Sequence, residues 1–282
     1  MEIIITADST IDLSPELLKH YRIKTIGLNI ALGEKEYIDG ENIVPADIFR
    51  FIKQKGVLPK TGAVSVERYK EFFKKYARKD TAIIHFTISS EMSSCYYFAD
   101  TASKDFDNVF VVDSRYLSTG IAQLAILARR LADDGMQAKE IIEKINDLAL
   151  KNKVQCSFIL DNLKLLHKGG RCSAVQRFGA NLLRLKICIG VRDGKMNVER
   201  KYKGKFSNVI DDYVKDTFDI HPDYDPHCCF ITYTTASQEV LDKAKAQIEK
   251  VAKFDNIYFT CAGATIASHC GEDTIGVLYL IK

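Results

Sequence analysis

Tryptophan is absent from this chain, and proline occurs only five times in 282 residues. So little proline, with 16 glycines scattered along the sequence, excludes a polyproline or collagen-like rod and any long low-complexity linker. Long apolar runs are missing too. Stretches such as Val109 to Val112 and Ile275 to Ile281 fall far short of the about 18 residues that signal a membrane span. The N-terminus reads Met1, Glu2, three isoleucines and then polar residues, with neither a basic stretch nor an extended apolar core, so a cytoplasmic protein is expected. Eight cysteines are present, but no two form a CxxC pair and no histidine follows at finger spacing. Several fall in apolar, strand-like runs, where a thiol acts as a small hydrophobe. Reduced cysteines and no metal are therefore expected. The familiar catalytic signatures are also lacking: there is no GxSxG elbow, GxxxxGK[ST] loop, HExxH helix or GxGxxG turn.

What is present is ordinary globular material, 46% hydrophobic and 27% charged, of a length that suggests roughly two domains. The charge is unevenly spread. Between Lys164 and Lys205 there are 12 Lys and Arg against Asp193 and Glu199 alone, a local +10, while the remainder carries 28 basic and 35 acidic residues, or −7. Such a segment suits an anionic partner surface or simply a solvated face. Without interleaved aromatics or a nucleic-acid motif, neither DNA nor RNA is an expected partner.

The first half alternates strands and helices. Ile3 to Thr6 reads as a strand buried on both faces, and Ser14, Pro15 and Glu16 as a capped helix start. Ile23 to Leu32 reads as one strand, Pro45 to Gly56 as a helix, and Leu58 to Val64 as a loop. Tyr69, Phe72, Phe73 and Tyr76 recur at helical spacing, a core stripe. Ala82 to Ile88 and Val109 to Val112 are further strands, each running into serines and a helix. Strand and helix in series imply crossovers and a largely parallel sheet. In the second half, Asp161 is expected to cap a short helix ending at Gly169-Gly170. Ser173 should open an apolar helix with Leu182, Leu183 and Leu185, and Asp193-Gly194 should turn a hairpin. Thr235 with Gln238 reads as a capping box before a helix through Val251. Strands near Phe230 and Ile257 and at Ile275 to Ile281 would complete a mixed sheet. The expected fold is two α/β domains, residues 1–156 with a largely parallel sheet and 157–282 with a mixed one, and a ligand between them.

Small hydroxyl residues collect where strands give way to helices: Ser9 and Thr10, Thr61, Ser89 to Ser94, Ser114 and Ser118. In an open parallel sheet those strand ends share one edge, where ligands bind. Helix N-termini there offer unpaired N–H groups suited to a carboxylate or phosphate. Each such residue taken alone is an ordinary helix cap; it is their accumulation over four crossovers that points to a site. Lys168-Gly169-Gly170-Arg171 adds flexible backbone beside a permanent cation, though the same string also reads as a glycine C-cap with a surface arginine. His269 lies among small residues that leave its ring approachable.

Taken in order, these motifs resemble the DegV family of bacterial fatty-acid-binding proteins from end to end. They are Asp8-Ser9, Lys60-Thr61 before Ser65, Ile88 to Ser93, Val112-Asp113-Ser114 with Ser118, Lys168-Gly169-Gly170-Arg171, and His269 with Gly271. The resemblance implies a long-chain fatty acid in an apolar tunnel, its carboxylate held by Thr61 and Ser93 near His269 and Arg171. Ser9, Ser94 and Ser118 are secondary candidates. It implies a lipid carrier with no cofactor and no catalysis of its own, presenting its ligand to a separate fatty acid kinase subunit for acyl phosphate formation. On that view the basic segment around Arg171 would dock the kinase. Glu272 and Asp273, where the family often has Pro-Gly, would oppose a charged headgroup near the mouth. The alternative is a protein resembling the substrate domain of dihydroxyacetone kinase, acting on a small phosphorylatable substrate through His269.

Overall fold

The computed structural model describes residues 1–176 and 185–282. The expected helix residues Leu182 and Leu183 lie outside them; Leu185 follows in a bend, and the helix from Ser173 is described only to Gln176. The first half runs β1 (Glu2–Asp8), α1 (Pro15–His20), β2 (Ile23–Ile26), β3 (Asn29–Leu32), β4 (Lys35–Ile38), α2 (Pro45–Lys55), β5 (Lys60–Gly62), α3 (Val66–Lys74) and β6 (Thr81–Thr87). It continues with α4 (Cys95–Ser103), β7 (Val109–Asp113), α5 (Thr119–Asp133) and α6 (Ala138–Leu150). The second half is β8 (Val154–Leu160), α7 (Lys164–Gly169), α8 (Ser173–Gln176), β9 (Lys186–Arg192), β10 (Lys195–Tyr202), α9 (Phe206–Ile220), β11 (Tyr224–Tyr233), α10 (Gln238–Val251), β12 (Asn256–Cys261), α11 (Ala264–Cys270) and β13 (Thr274–Ile281).

Strands β2-β1-β6-β7 form an all-parallel sheet, as the strand–helix alternation implies. A mixed sheet of order β10-β9-β8-β13-β11-β12 forms the second half. Its first strand in sequence, β8, begins at Val154, so Val154–Cys156 belong to this sheet rather than to a unit ending at 156. Helix α5 packs against β1, β6, β8 and β13, and almost every residue from Thr119 to Leu131 is buried. One apolar core therefore runs from the parallel sheet through α5 to the mixed sheet, taking in Ile5, Ile84, Ile121, Phe158 and Leu278.

A third, three-stranded sheet of order β4-β3-β5 is not apparent in the sequence pattern. The run Ile23 to Leu32 does not form one strand. It breaks at Gly27, where a Cβ would stand 2.3 Å from Cγ2 of Ile38 and 2.5 Å from the carbonyl oxygen of Asp39. That close approach lets the chain leave the parallel sheet after β2 and pair antiparallel as β3 with β4 and β5. The expected loop at 58–64 thus contains a strand, and Thr61 faces the cavity from it. Two caps also shift. Asn162, not Asp161, accepts from the Lys164 amide at 2.8 Å, because Asp161 pairs with Lys186. Ser237 caps α10, because the Thr235 hydroxyl is engaged with Asp273. The Asp193-Gly194 hairpin forms as expected, with both residues at positive φ (52° and 77°) joining β9 to β10.

Candidate ligand cavity

A cavity of about 340 Å3 opens between the three-stranded sheet, the Ile88–Ser94 turn, α7 and α11. Its polar end gathers Thr61, Ser93, Ser94, Arg171 and His269; Leu28, Ile88, Leu117, Leu166, Met196 and Ile266 form an apolar wall. The four principal candidates thus meet although they lie up to 208 residues apart, the separation of Thr61 from His269.

Thr61 Oγ1 and His269 Nε2 are hydrogen-bonded at 2.8 Å. The other ring nitrogen, Nδ1, is buried and has no partner among the described residues. It faces Gly169, where a Cβ would stand only 2.6 Å away, so the ring occupies this place because residue 169 has no side chain. Burial, with a smaller contribution from the nearby Arg171 cation, lowers the His269 pKa to about 4. The imidazole is therefore neutral at physiological pH. Arg171 follows Gly170, which takes the left-handed conformation (φ 72°) that ends α7. Its guanidinium donates to the Gly169 carbonyl at 2.8 Å and stays exposed at the cavity rim. Ser93 Oγ accepts from the Cys95 amide at 3.3 Å and donates to Cys95 Sγ at 3.2 Å, a weak acceptor that competes little for the proton. Ser94 precedes α4, exposed, without a side-chain cap bond.

Ser9 and Ser118 do not join this set, because both hydroxyls are spent on buried carboxylates. Ser9 Oγ donates to Asp39 Oδ2 at 2.9 Å, and Ser118 Oγ donates to Asp12 Oδ2 at 2.5 Å. The same carboxylates accept from the first amides of α11: Gly263 N to Asp12 Oδ1 at 2.8 Å and Ala264 N to Asp39 Oδ1 at 2.9 Å. Burial holds the Asp12 carboxyl well above its usual pKa, against the pull of Ser118 and Gly263. Asp8 acts similarly, accepting from the Ile88 amide at 3.1 Å and from Tyr69 Oη at 2.6 Å, which fixes the start of the turn that carries Ser93. Asp113 accepts from the Ser90 amide at 3.1 Å and its hydroxyl at 2.5 Å. Most of the crossover hydroxyls and acids are thus cross-ties that shape the cavity, and only a few reach it.

Glu272 and Asp273 are not at the polar end either. They line a separate groove with Lys53, Lys164 and Lys168 on the other side of α7, so they do not oppose a headgroup beside His269. Sequence reading missed Thr265, which lines the cavity one helical turn before His269. The i, i+4 relation to His269 was the signal that could have found it. Among the described residues no cluster of three or more His, Cys, Asp or Glu could hold a metal, and no helix is long and apolar enough to cross a membrane.

The model of the DegV family of uncharacterised proteins matches residues 2–282. A DegV domain-containing protein of Clostridium perfringens is 31% identical over 205 residues, 72% of this chain and 73% of its own length. A fatty acid-binding protein of Thermotoga maritima is 28% identical over 98% of this chain and 96% of its own. Among solved structures, a DegV lipid-binding protein from Thermotoga maritima superposes with a TM-score of 0.87 at 25% identity, covering 100% of this chain and 99% of that one. A fatty-acid-binding DegV-family protein from Thermus thermophilus, 22% identical, shares the fold at a TM-score of 0.92 over the full length of both chains.

Proposed function

The chain belongs to the DegV family, and from that premise we propose that it binds a long-chain fatty acid, with the carboxylate at Thr61, Ser93, His269 and Arg171 and the acyl chain along the apolar wall. The observation that carries this reading is the division of one cavity into a hydroxyl, imidazole and guanidinium end and a wall of Leu, Ile and Met side chains. A carboxylate at the polar end would meet neutral and cationic donors. Hydrogen bonds to a charged group are worth about 1.5–3 kcal/mol each. The methylene chain would leave water for the apolar wall, at about 0.8 kcal/mol per buried CH2. The fatty-acid-binding relatives support the same ligand class.

We propose further that the protein is a carrier that presents the bound acid to a separate kinase subunit. The exposed Arg171 supports this, since a cation at the rim could face both partner and carboxylate. His269 suits orientation better than covalent chemistry, with Nε2 engaged by Thr61 and Nδ1 against Gly169. Native mass spectrometry of the purified protein should show added mass matching fatty acids. The double substitution Thr61→Ala, Ser93→Ala should lose that load while keeping its far-UV circular dichroism. A double variant that keeps its full lipid load would move the site elsewhere. A stable phosphoryl or substrate adduct on His269 would overturn the carrier reading. With a fatty acid kinase subunit and ATP, Arg171→Ala should weaken lipid binding and slow acyl phosphate formation by more than the lost lipid load accounts for; a rate that falls only in proportion to the lipid lost removes Arg171 from the presentation step.

A further inference from the structure

Thr265 is the most enclosed hydroxyl on the cavity wall. It is 4% exposed, and its Oγ1 has no hydrogen-bond partner among the described residues. Of the other hydroxyls on the wall, Thr61 is engaged with His269, Ser90 with Asp113 and Ser93 with Cys95, while Ser94 is exposed to solvent. A threonine or serine in a helix ordinarily returns its hydroxyl to the carbonyl one turn back. Ser268, on the same helix, does so, donating to the Ala264 carbonyl at 2.7 Å. For Thr265 the residue one turn back is Cys261, which ends β12 before α11 begins, so no helical carbonyl stands in register. A buried hydroxyl left without a partner costs about 1–3 kcal/mol. A ligand atom can offset that cost only if it is an oxygen or nitrogen.

The position of Thr265 suggests which ligand atom that is. Residues four apart on a helix share a face, and one turn separates them by about 6 Å along the axis. Thr265 therefore lies displaced by that turn from the imidazole assigned to the carboxylate, in a cavity whose wall also carries the apolar Leu28 and Ile266. The carboxylate already has donors in Thr61, Ser93 and Arg171. On the fatty-acid reading, a chain running from that headgroup along the wall would pass Thr265 a few carbons beyond the carboxyl.

Resting on the fatty-acid reading above, we propose that Thr265 is a specificity-determining residue that favours acyl chains bearing a hydroxyl or keto oxygen a few carbons from the carboxyl. An unsubstituted chain lays methylenes against Oγ1 and leaves it unpaired, whereas an oxygen at that depth pairs with it. A site that holds a buried polar group discriminates against ligands that cannot satisfy it.

The test uses the delipidated full-length protein and calorimetric titration with hexadecanoic acid and with hexadecanoic acids hydroxylated near the carboxyl, at mid-chain or near the methyl end. The parent should bind the near-carboxyl hydroxy acid about tenfold more tightly than the unsubstituted acid, the equivalent of one hydrogen bond. Thr265→Val, close in shape, should bind the unsubstituted acid at least as well as the parent and lose the preference; Thr265→Ser should keep it. Equal affinities in the parent, or a preference that survives Thr265→Val, would overturn the role of Thr265 and leave the fatty-acid reading standing. Failure of every acid to bind the parent would overturn that reading itself, and the role of Thr265 with it.

Discussion

At the scale of single residues, the polar end depends on one missing side chain and one uncharged ring. Gly169→Ala would put a methyl group 2.6 Å from Nδ1 of His269, too close to be tolerated, and push the imidazole off Thr61. Gly169 lies at the end of α7 without a positive φ, so alanine suits its backbone and the damage should stay local. Fatty-acid affinity should fall about tenfold with the circular dichroism unchanged; undiminished affinity would show that the ring position does not matter. The depressed pKa of His269 makes a second prediction. Its folded value of about 4 lies below the unfolded 6.5, so between these the unfolded chain takes up a proton that the folded chain refuses. This group's contribution to stability is intact above pH 6.5 and declines as pH falls toward 4. A carboxylate bound beside the ring favours the imidazolium, so loading the protein should raise that pKa. Proton NMR titration of the ring resonances, with and without bound fatty acid, would show it; a midpoint that stays put would separate the carboxylate from His269.

At the scale of elements, α11 is held at its N-terminus by two buried carboxylates rather than by a cap of its own. Gly263 cannot cap with a side chain, and Asp12 and Asp39 reach from the first half of the chain to accept its leading amides. The helix that carries His269 and Thr265 is therefore seated by residues over 220 positions away in sequence. Asp12→Ala or Asp39→Ala should each cost about 1–3 kcal/mol in urea unfolding, because an amide and a serine hydroxyl lose their acceptor. A loss below about 0.5 kcal/mol, the range of an ordinary surface change, would mean the helix start is held otherwise. Local chemistry succeeds where the whole instruction is local: Asp193-Gly194 turns the β9–β10 hairpin, and Ser14 caps its helix as read. It fails where a distant partner competes, as with Thr235, whose hydroxyl goes to Asp273.

At the scale of the whole molecule, α5 is shared by the two sheets, and one continuous core crosses the middle of the chain. Two separable domains would unfold separately; a shared core should not. Urea unfolding followed by far-UV circular dichroism and by tyrosine fluorescence, the usable intrinsic probe in a chain without tryptophan, should give one coincident transition. Bound fatty acid should move its midpoint upward. Two resolved transitions would show that the halves are independent. The charge asymmetry also changes character at this scale. Lys186, Arg192, Lys195 and Arg200 of the basic segment pair with Asp161, Glu199, Glu91 and Asp216; Glu199 is already counted in the local +10, so three of those ten charges are answered by acids outside the segment. Lys164 and Lys168 instead share their groove with Glu272 and Asp273.

Periodicity and turn chemistry in the sequence were enough for the strand–helix alternation, the parallel first sheet, the mixed second sheet and the β9–β10 hairpin, because these depend on neighbours within a few residues. The ordered motifs from Asp8 to His269 were enough for the family. Which hydroxyls line the cavity was decided only by the tertiary structure. Ser9, Ser118, Thr61 and Ser93 are the same chemistry in similar local settings, and what separates them is whether a buried carboxylate from elsewhere in the chain accepts the hydroxyl's hydrogen bond. The break at Gly27 and the third sheet were hidden for the same reason: the atoms that require a glycine there belong to Ile38 and Asp39, brought in by pairing that no local pattern announces.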